Sequence, residues 1–248
     1  MRLIHALTVS LFLSTSALTG AVHAETATPA PAAKATLKPI FISPDRLNPA
    51  TLLPAPPKVD SAESRADLEI VRAVVKASSP ARIKQAAEDD ENESINLYSS
   101  VLPGFDLSKL PATALLFKHV ENDQSYATKK AKTFFARKRP FELDQSIPTC
   151  VPSPLGKAPT SYPSGHSTLG FTDGIILAHL MPAKADVIFT RAQDYAHNRV
   201  VCGVHFVSDT VASQALATGI AVEIMGSPQF QQEFAAAKAE LVAAGLTQ

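Results

Sequence analysis

The sequence has 248 residues, with 23 Lys and Arg balanced by 23 Asp and Glu, and no Trp. That length allows one ordinary domain with a real core, or at most two small ones. Balanced charge argues against a nucleic-acid scaffold, although a local cationic cluster can still form a site. Abundant Ala and Leu with scarce Gly lean towards helix.

The chain opens on Arg2, an apolar run from Ala6 to Leu18, and the small-residue stretch Val22-His23-Ala24. This pattern predicts a signal peptide over residues 1–24, cleaved near Ala24, and a periplasmic or secreted mature chain beginning at Glu25. A short membrane anchor is the alternative, but the run is too short to span comfortably. No later segment holds 18 charge-free apolar residues, so no membrane span is expected in the mature chain.

Residues 25–60 are rich in Pro and Ala, including Pro54, Pro56 and Pro57, and predict an extended arm. Ile40, Phe41, Ile42, Leu52 and Leu53 favour a strap lying on the domain for its second half. Helical signals follow. Ser61 precedes a face carrying Leu68, Val71 and Val75. Ser79-Pro80 reads as an N-cap with proline at the first helical position. Pro111 opens a long helix running to Phe134 and Phe135 and ended by Pro140. A proline-rich irregular loop over 141–164 comes next. Further helices are expected from Gly165 to about Leu180, about Ala183 to Val200, about Val204 to Met225, and about Gln229 to Ala244 behind the cap Ser227-Pro228. No strand-length alternation stands out. Residues 61–248 are therefore expected to form one all-α helical bundle.

The two cysteines, Cys150 and Cys202, form an even count in an exported chain, which points to a disulfide; two buried thiols are the alternative.

Three separated segments carry chemistry. Lys132 and Arg139 are seven apart, about two helical turns, and are expected to project from one helix face as cations for a multi-oxygen anion. Taken alone, a solvated helix end is the better reading of the two. Tyr162-Pro-Ser164-Gly165-His166-Ser167 feeds a turn straight into a helix, whose first N–H groups form a ready anion site. Ser164 adds a hydroxyl, Gly165 permits close approach, and His166 stands beside any bound anion. In Arg199-Val-Val-Cys-Gly-Val-His205-Phe-Val-Ser-Asp209, His205 and Asp209 are four apart and are expected to share a helix face, where Asp209 can fix the imidazole tautomer.

Together these segments read Lys-x6-Arg-Pro, Pro-Ser-Gly-His and Arg-x5-His-x3-Asp. The pattern resembles the signature of the acid phosphatase and vanadium haloperoxidase superfamily, which includes the type 2 phosphatidic acid phosphatases. Leu52-Leu53-Pro54-Ala-Pro56-Pro57, Arg137-Lys138-Arg139-Pro140-Phe141 and Cys202-Gly203-Val204-His205 are further similar to class A bacterial nonspecific acid phosphatases. The likeness spans roughly residues 40–225. It implies a helical bundle of that superfamily's type and hydrolysis of small phosphate monoesters, with inorganic phosphate or vanadate as inhibitor. It also implies site roles: His205 attacks phosphorus, Asp209 orients it, and His166 protonates the leaving alcohol. Lys132, Arg139, Ser164, Gly165 and Arg199 bind phosphate, and a homodimer or larger assembly is possible. His205 is expected neutral and His166 charged at the start.

The chain departs from the family pattern at Asn198, where Ser is usual, and at Phe206, where Trp is common in class A members. His197 and His205 lie without a ligand-rich surround, so no metal and no cofactor are expected. Vanadate-dependent halide oxidation, a lipid phosphatase and a non-catalytic periplasmic anion binder are the alternatives. Binding alone, however, needs neither His166 nor the His205–Asp209 pair.

Overall fold

In the computed structural model, residues 37–248 other than 154, 157 and 158 are described, and their regular elements are all helical. The expected signal peptide, 1–24, and the first part of the arm, 25–36, lie outside the described residues. The α-helices are α1 (Pro49–Leu52), α2 (Ala62–Ala77), α3 (Pro80–Glu91), α4 (Pro111–Phe135), α5 (Pro140–Leu143), α6 (Gly165–Leu180), α7 (Ala185–Val201), α8 (Val207–Met225) and α9 (Pro228–Ala243). Among the described residues no helix is long and apolar enough to cross a membrane.

Serine caps set the starts of α2, α3, α6 and α9. Ser61, Ser79, Ser164 and Ser227 accept the backbone N–H groups of Ser64, Arg82, Ser167 and Phe230, each cap being worth about 1 kcal/mol. α4 has no side-chain cap of its own. Glu240 from α9 supplies one, accepting from Ala112 N at 3.0 Å and Thr113 N at 2.8 Å.

α6 is apolar on nearly every side and packs against α4, α7 and α8. A helix that is hydrophobic all round belongs in a core. Its small residues admit large neighbours: a Cβ on Gly170 would stand 2.9 Å from the Tyr195 ring, and one on Gly174 would stand 2.5 Å from Tyr98 Oη. Both tyrosines are fully buried.

The second half of the arm is a strap, as its apolar residues led one to expect. Ile40, Phe41 and Ile42 donate their N–H groups to the Asp123 carboxylate at 2.6, 2.7 and 2.9 Å. Ile42 and Leu53 are buried, and Tyr162 donates its O–H to Pro54 O.

Two expectations about the site segments need correction. α4 ends at Phe135, because Ala136 turns the chain in the left-handed region at φ 47°. Lys132 and Arg139 therefore do not share a helix face, and Arg139 is instead the N-cap residue of α5. α8 begins at Val207 rather than near Val204, because Gly203 turns at φ +68° and Phe206 is extended. His205 thus lies before the helix, with only Asp209 on it. At Gly203 a Cβ would stand 2.7 Å from Pro148 O, so glycine is required by both conformation and space.

Cys150 and Cys202 form a disulfide with Cα atoms 4.7 Å apart. It ties the 144–161 loop to the segment joining α7 and α8.

Two outcomes follow. Asp123→Ala leaves three strap N–H groups without their charged acceptor and should lower unfolding free energy by about 3 kcal/mol, read by denaturant titration. The bridge closes a loop of 52 residues. Its removal in a Cys150→Ser, Cys202→Ser double variant should cost up to about 4 kcal/mol and lower Tm by about 10 °C, with turnover at 25 °C largely retained.

Candidate active site

The turn at Gly203, the Ala136 reversal and the start of α6 bring the three sequence segments to one cavity of about 400 Å³. Its walls include Lys132, Arg139, Gly165, His166, Arg199 and His205, with Asp90, Glu93 and Thr160 beside them. Val151, Pro152 and Ser153, next to the disulfide, form part of the rim.

His205 is 1% exposed. Its Nδ1 lies 3.1 Å from Asp209 Oδ2, and its Nε2 lies 3.3 Å from Arg139 Nη1. A guanidinium only donates. Nε2 must therefore be the accepting nitrogen, and the Nδ1–H must point to Asp209. Burial lowers the His205 pKa well below the usual histidine range, and Arg139, Lys132 and Arg199 push it further down. The imidazole is thus neutral, with its Nε2 lone pair directed at the cavity.

The cations come from three elements. Lys132, on the last turn of α4, donates to Thr160 O. Burial, together with Arg139 and Arg199, lowers its pKa to about 7. Arg139, likewise lowered by burial and by Arg199, also donates to Val204 O at 3.0 Å. Arg199, on α7, is 3% exposed and pairs through Nη2 with Asp90 Oδ1 at 2.5 Å. Its Nε and Nη1 have no hydrogen-bond partner among the described residues. Buried guanidinium donors are costly to leave unpaired, and they match the oxygens of a tetrahedral anion.

His166 sits in the first turn of α6, with Nε2 3.0 Å from Asp90 O and 3.1 Å from Glu93 Oε1. Burial and then Arg199 lower its pKa to about 4, opposed by Asp90. The expected charged His166 therefore requires the negative charge of a substrate beside it. Ser164 is fully buried one layer behind Gly165, where its Oγ caps α6 and accepts from Ser167 Oγ at 2.9 Å. Gly165 and His166, rather than the Ser164 side chain, form the cavity wall.

A family model described as the PAP2 superfamily matches residues 113–233. The chain is 37% identical over 139 residues to an acid phosphatase of Zymomonas mobilis, a match spanning 55% of this chain and 52% of that protein. It is 30% identical over 197 residues to a non-specific acid phosphatase of Providencia stuartii, covering 76% of this chain and 79% of that one. The chain belongs to the non-specific acid phosphatases of the PAP2 superfamily. In fold it is similar to Aquifex aeolicus LpxE, with TM-score 0.51 and 21% identity over 67% of this chain and 96% of that one.

Within this family pattern, the two departures have structural explanations. Asn198 points away from the cavity and donates to Asp89 Oδ2 at 2.7 Å, joining the buried Asp89–Arg191 pair that ties α3 to α7. It therefore supports the Asp90–Arg199 wall from behind. The Phe206 ring lies under the Arg137 guanidinium, 3.8 Å from its centroid.

Arg137, Ser161 and Asp67 were not among the residues singled out as a site. Arg137 Nη1 donates to Asp209 Oδ1 at 2.7 Å, and Ser161 Oγ donates to Asp209 Oδ2 at 2.6 Å. Arg137 Nη2 reaches Asp67 Oδ2 at 2.9 Å. One sequence signal was available for Asp67: it lies four residues before Val71, a carboxylate on the apolar face of α2, where burial demands a cation.

The depressed Lys132 and His166 values set a sign. A phosphate dianion raises both, so protons are taken up on binding and affinity falls as pH rises through about 7. Calorimetry of phosphate binding in buffers of different ionisation enthalpy should show uptake beyond phosphate's own titration, and Lys132→Met should reduce it.

Proposed function

We propose that this chain is an exported, metal-independent acid phosphatase that hydrolyses a broad range of phosphate monoesters through a phosphohistidine intermediate. The observation that carries the reading is His205: a buried, neutral imidazole whose Nδ1 is held by Asp209 and whose Nε2 faces three cations.

The phosphoryl group docks with its oxygens on Arg199 Nε and Nη1, Arg139, Lys132 and the first N–H groups of α6. His205 Nε2 attacks phosphorus while the bond to the leaving oxygen breaks. His166, charged once the dianion is beside it, gives its proton to that oxygen. Water then attacks the phosphohistidine, with His166 taking the water's proton, and releases inorganic phosphate. Phosphoryl transfer mainly needs positioning and stabilisation of the equatorial oxygens. The cations and a helix N-terminus supply the positive charge that metal ions supply elsewhere. Asp209 stabilises the positive charge that develops on His205.

The test is turnover of p-nitrophenyl phosphate by the purified mature protein, with and without chelator and vanadate. Turnover should survive chelator, be blocked by vanadate and peak below neutral pH. Absence of turnover from acid to mildly alkaline pH overturns the proposal. His205→Ala should lower kcat more than about 1000-fold and abolish acid-labile labelling by labelled substrate. His166→Ala should cost on the order of 100-fold, and more on an alkyl phosphate than on p-nitrophenyl phosphate, whose leaving group needs less protonation.

A further inference from the structure

We infer that Arg137 is a positioning residue for the nucleophile: it fixes the orientation and charge of Asp209 and through it the tautomer of His205. The inference rests on the reading of His205 as nucleophile and deepens it.

Arg137 does not line the cavity. It is 9% exposed and spends its guanidinium on partners behind the site. One edge is taken by Asp209 Oδ1 and Ser208 Oγ, at 2.7 and 2.6 Å, and the other by Asp67 on α2, at 2.9 Å. Its face is stacked on Phe206, the residue after His205. Three hydrogen bonds and the stacked ring together hold the fork in one orientation.

The consequence falls on Asp209. Its carboxylate is fully buried and has four donors, on both oxygens. Oδ1 accepts from Arg137, while Oδ2 accepts from Ser161 Oγ, Phe206 N and His205 Nδ1. Arg137 is the cation in direct contact with that carboxylate. The other charged groups nearby, Lys132, Arg139 and Arg199, lie on the cavity side of His205, and their role is to meet substrate. Burial raises the Asp209 pKa, and Arg137 is the strongest influence lowering it. Without that charge Asp209 takes up a proton more readily. A protonated carboxyl no longer demands the Nδ1–H of His205, which leaves the tautomer held only by the longer 3.3 Å contact of Nε2 with Arg139, so a proton can reach Nε2 and block the attacking lone pair. Asp67 then has a defined part: it neutralises the second edge of the guanidinium and holds it against α2.

Arg137→Met keeps the stem and removes the charge and the fork; Arg137→Lys keeps the charge alone. With p-nitrophenyl phosphate, Arg137→Met should lower kcat on the order of 100-fold, less than loss of the orienting carboxylate itself. KM and vanadate affinity should change little, because Arg137 does not touch the anion. The acid limb of the pH profile should move to higher pH, since Asp209 now protonates earlier. Arg137→Lys should restore the acid limb and only part of kcat.

A second readout needs no turnover. The ¹⁵N ring shifts of His205, assigned against His205→Ala, should report Nδ1 protonated and Nε2 bare in the parent. In Arg137→Met they should report a mixture or the other tautomer. An unchanged tautomer together with an unchanged pH profile overturns the inference. So does a fall in kcat and vanadate affinity in common proportion with Tm, the mark of a merely structural residue. If Arg137→Met does not fold, Arg137→Lys decides alone: a parental kcat overturns the inference. Failure of the parent to turn over substrate would fall on the proposed function, while the tautomer measurement would still decide the role of Arg137.

Discussion

The Asp209 carboxylate, buried and held by four donors, is the contact on which the rest of the site depends. A lone buried carboxylate costs several kcal/mol in solvation. Here that cost is met by partners from separate parts of the chain: Arg137 just after α4, Ser161 just before α6, and His205 and Phe206 just before α8. The same carboxylate therefore orients the imidazole, caps α8 and draws three segments to one point. Ser213 reinforces the junction by donating to Ser164 O at 2.9 Å, which joins α8 to the cap of α6.

On the other side of His205 the balance is reversed. Three cations crowd the cavity: beyond burial, Arg139 and Arg199 depress the pKa of Lys132, Arg199 depresses that of Arg139, and all three depress that of His205. That crowding is a standing electrostatic cost in a low-dielectric setting. It is partly offset by Asp90 on Arg199 and by Thr160 O on Lys132. A dianion relieves it more completely, which gives binding energy directed at the phosphoryl group rather than at the rest of the substrate. Breadth towards the alcohol portion is the natural corollary of the proposed function.

The scaffold is built to hold these opposed charges still. α6 is locked on all sides by apolar packing, and two tyrosines enter at its glycines. α7 is fixed to α3 by the Asp89–Arg191–Asn198 network. The disulfide joins the cavity rim to the turn that carries His205. A phosphoryl-transfer site whose work is positioning requires this rigidity.

The sequence by itself determined the helical class, the serine caps, the apolar strap and the identity of the cavity cations and histidines. These are local properties, since periodicity, caps and short motifs act within a few residues. What it could not supply was the route of the backbone between them. Helical spacing placed Lys132 with Arg139, and His205 with Asp209, on common helix faces. The chain instead reverses at Ala136, between the first two, and is extended at Phe206, between the second two; Lys132 and Arg139 still line one cavity, and His205 still meets Asp209. The His205–Asp209 contact survived because it is fixed by hydrogen bonding rather than by helical register, and each cation is held by a carbonyl partner of its own, Thr160 O for Lys132 and Val204 O for Arg139. Only the tertiary structure decided that Asn198 faces Asp89, that Ser164 stands behind Gly165, and that Arg137 belongs to Asp209. Those assignments depend on which donors remain unmet once distant segments are packed together, a balance that no window of sequence contains.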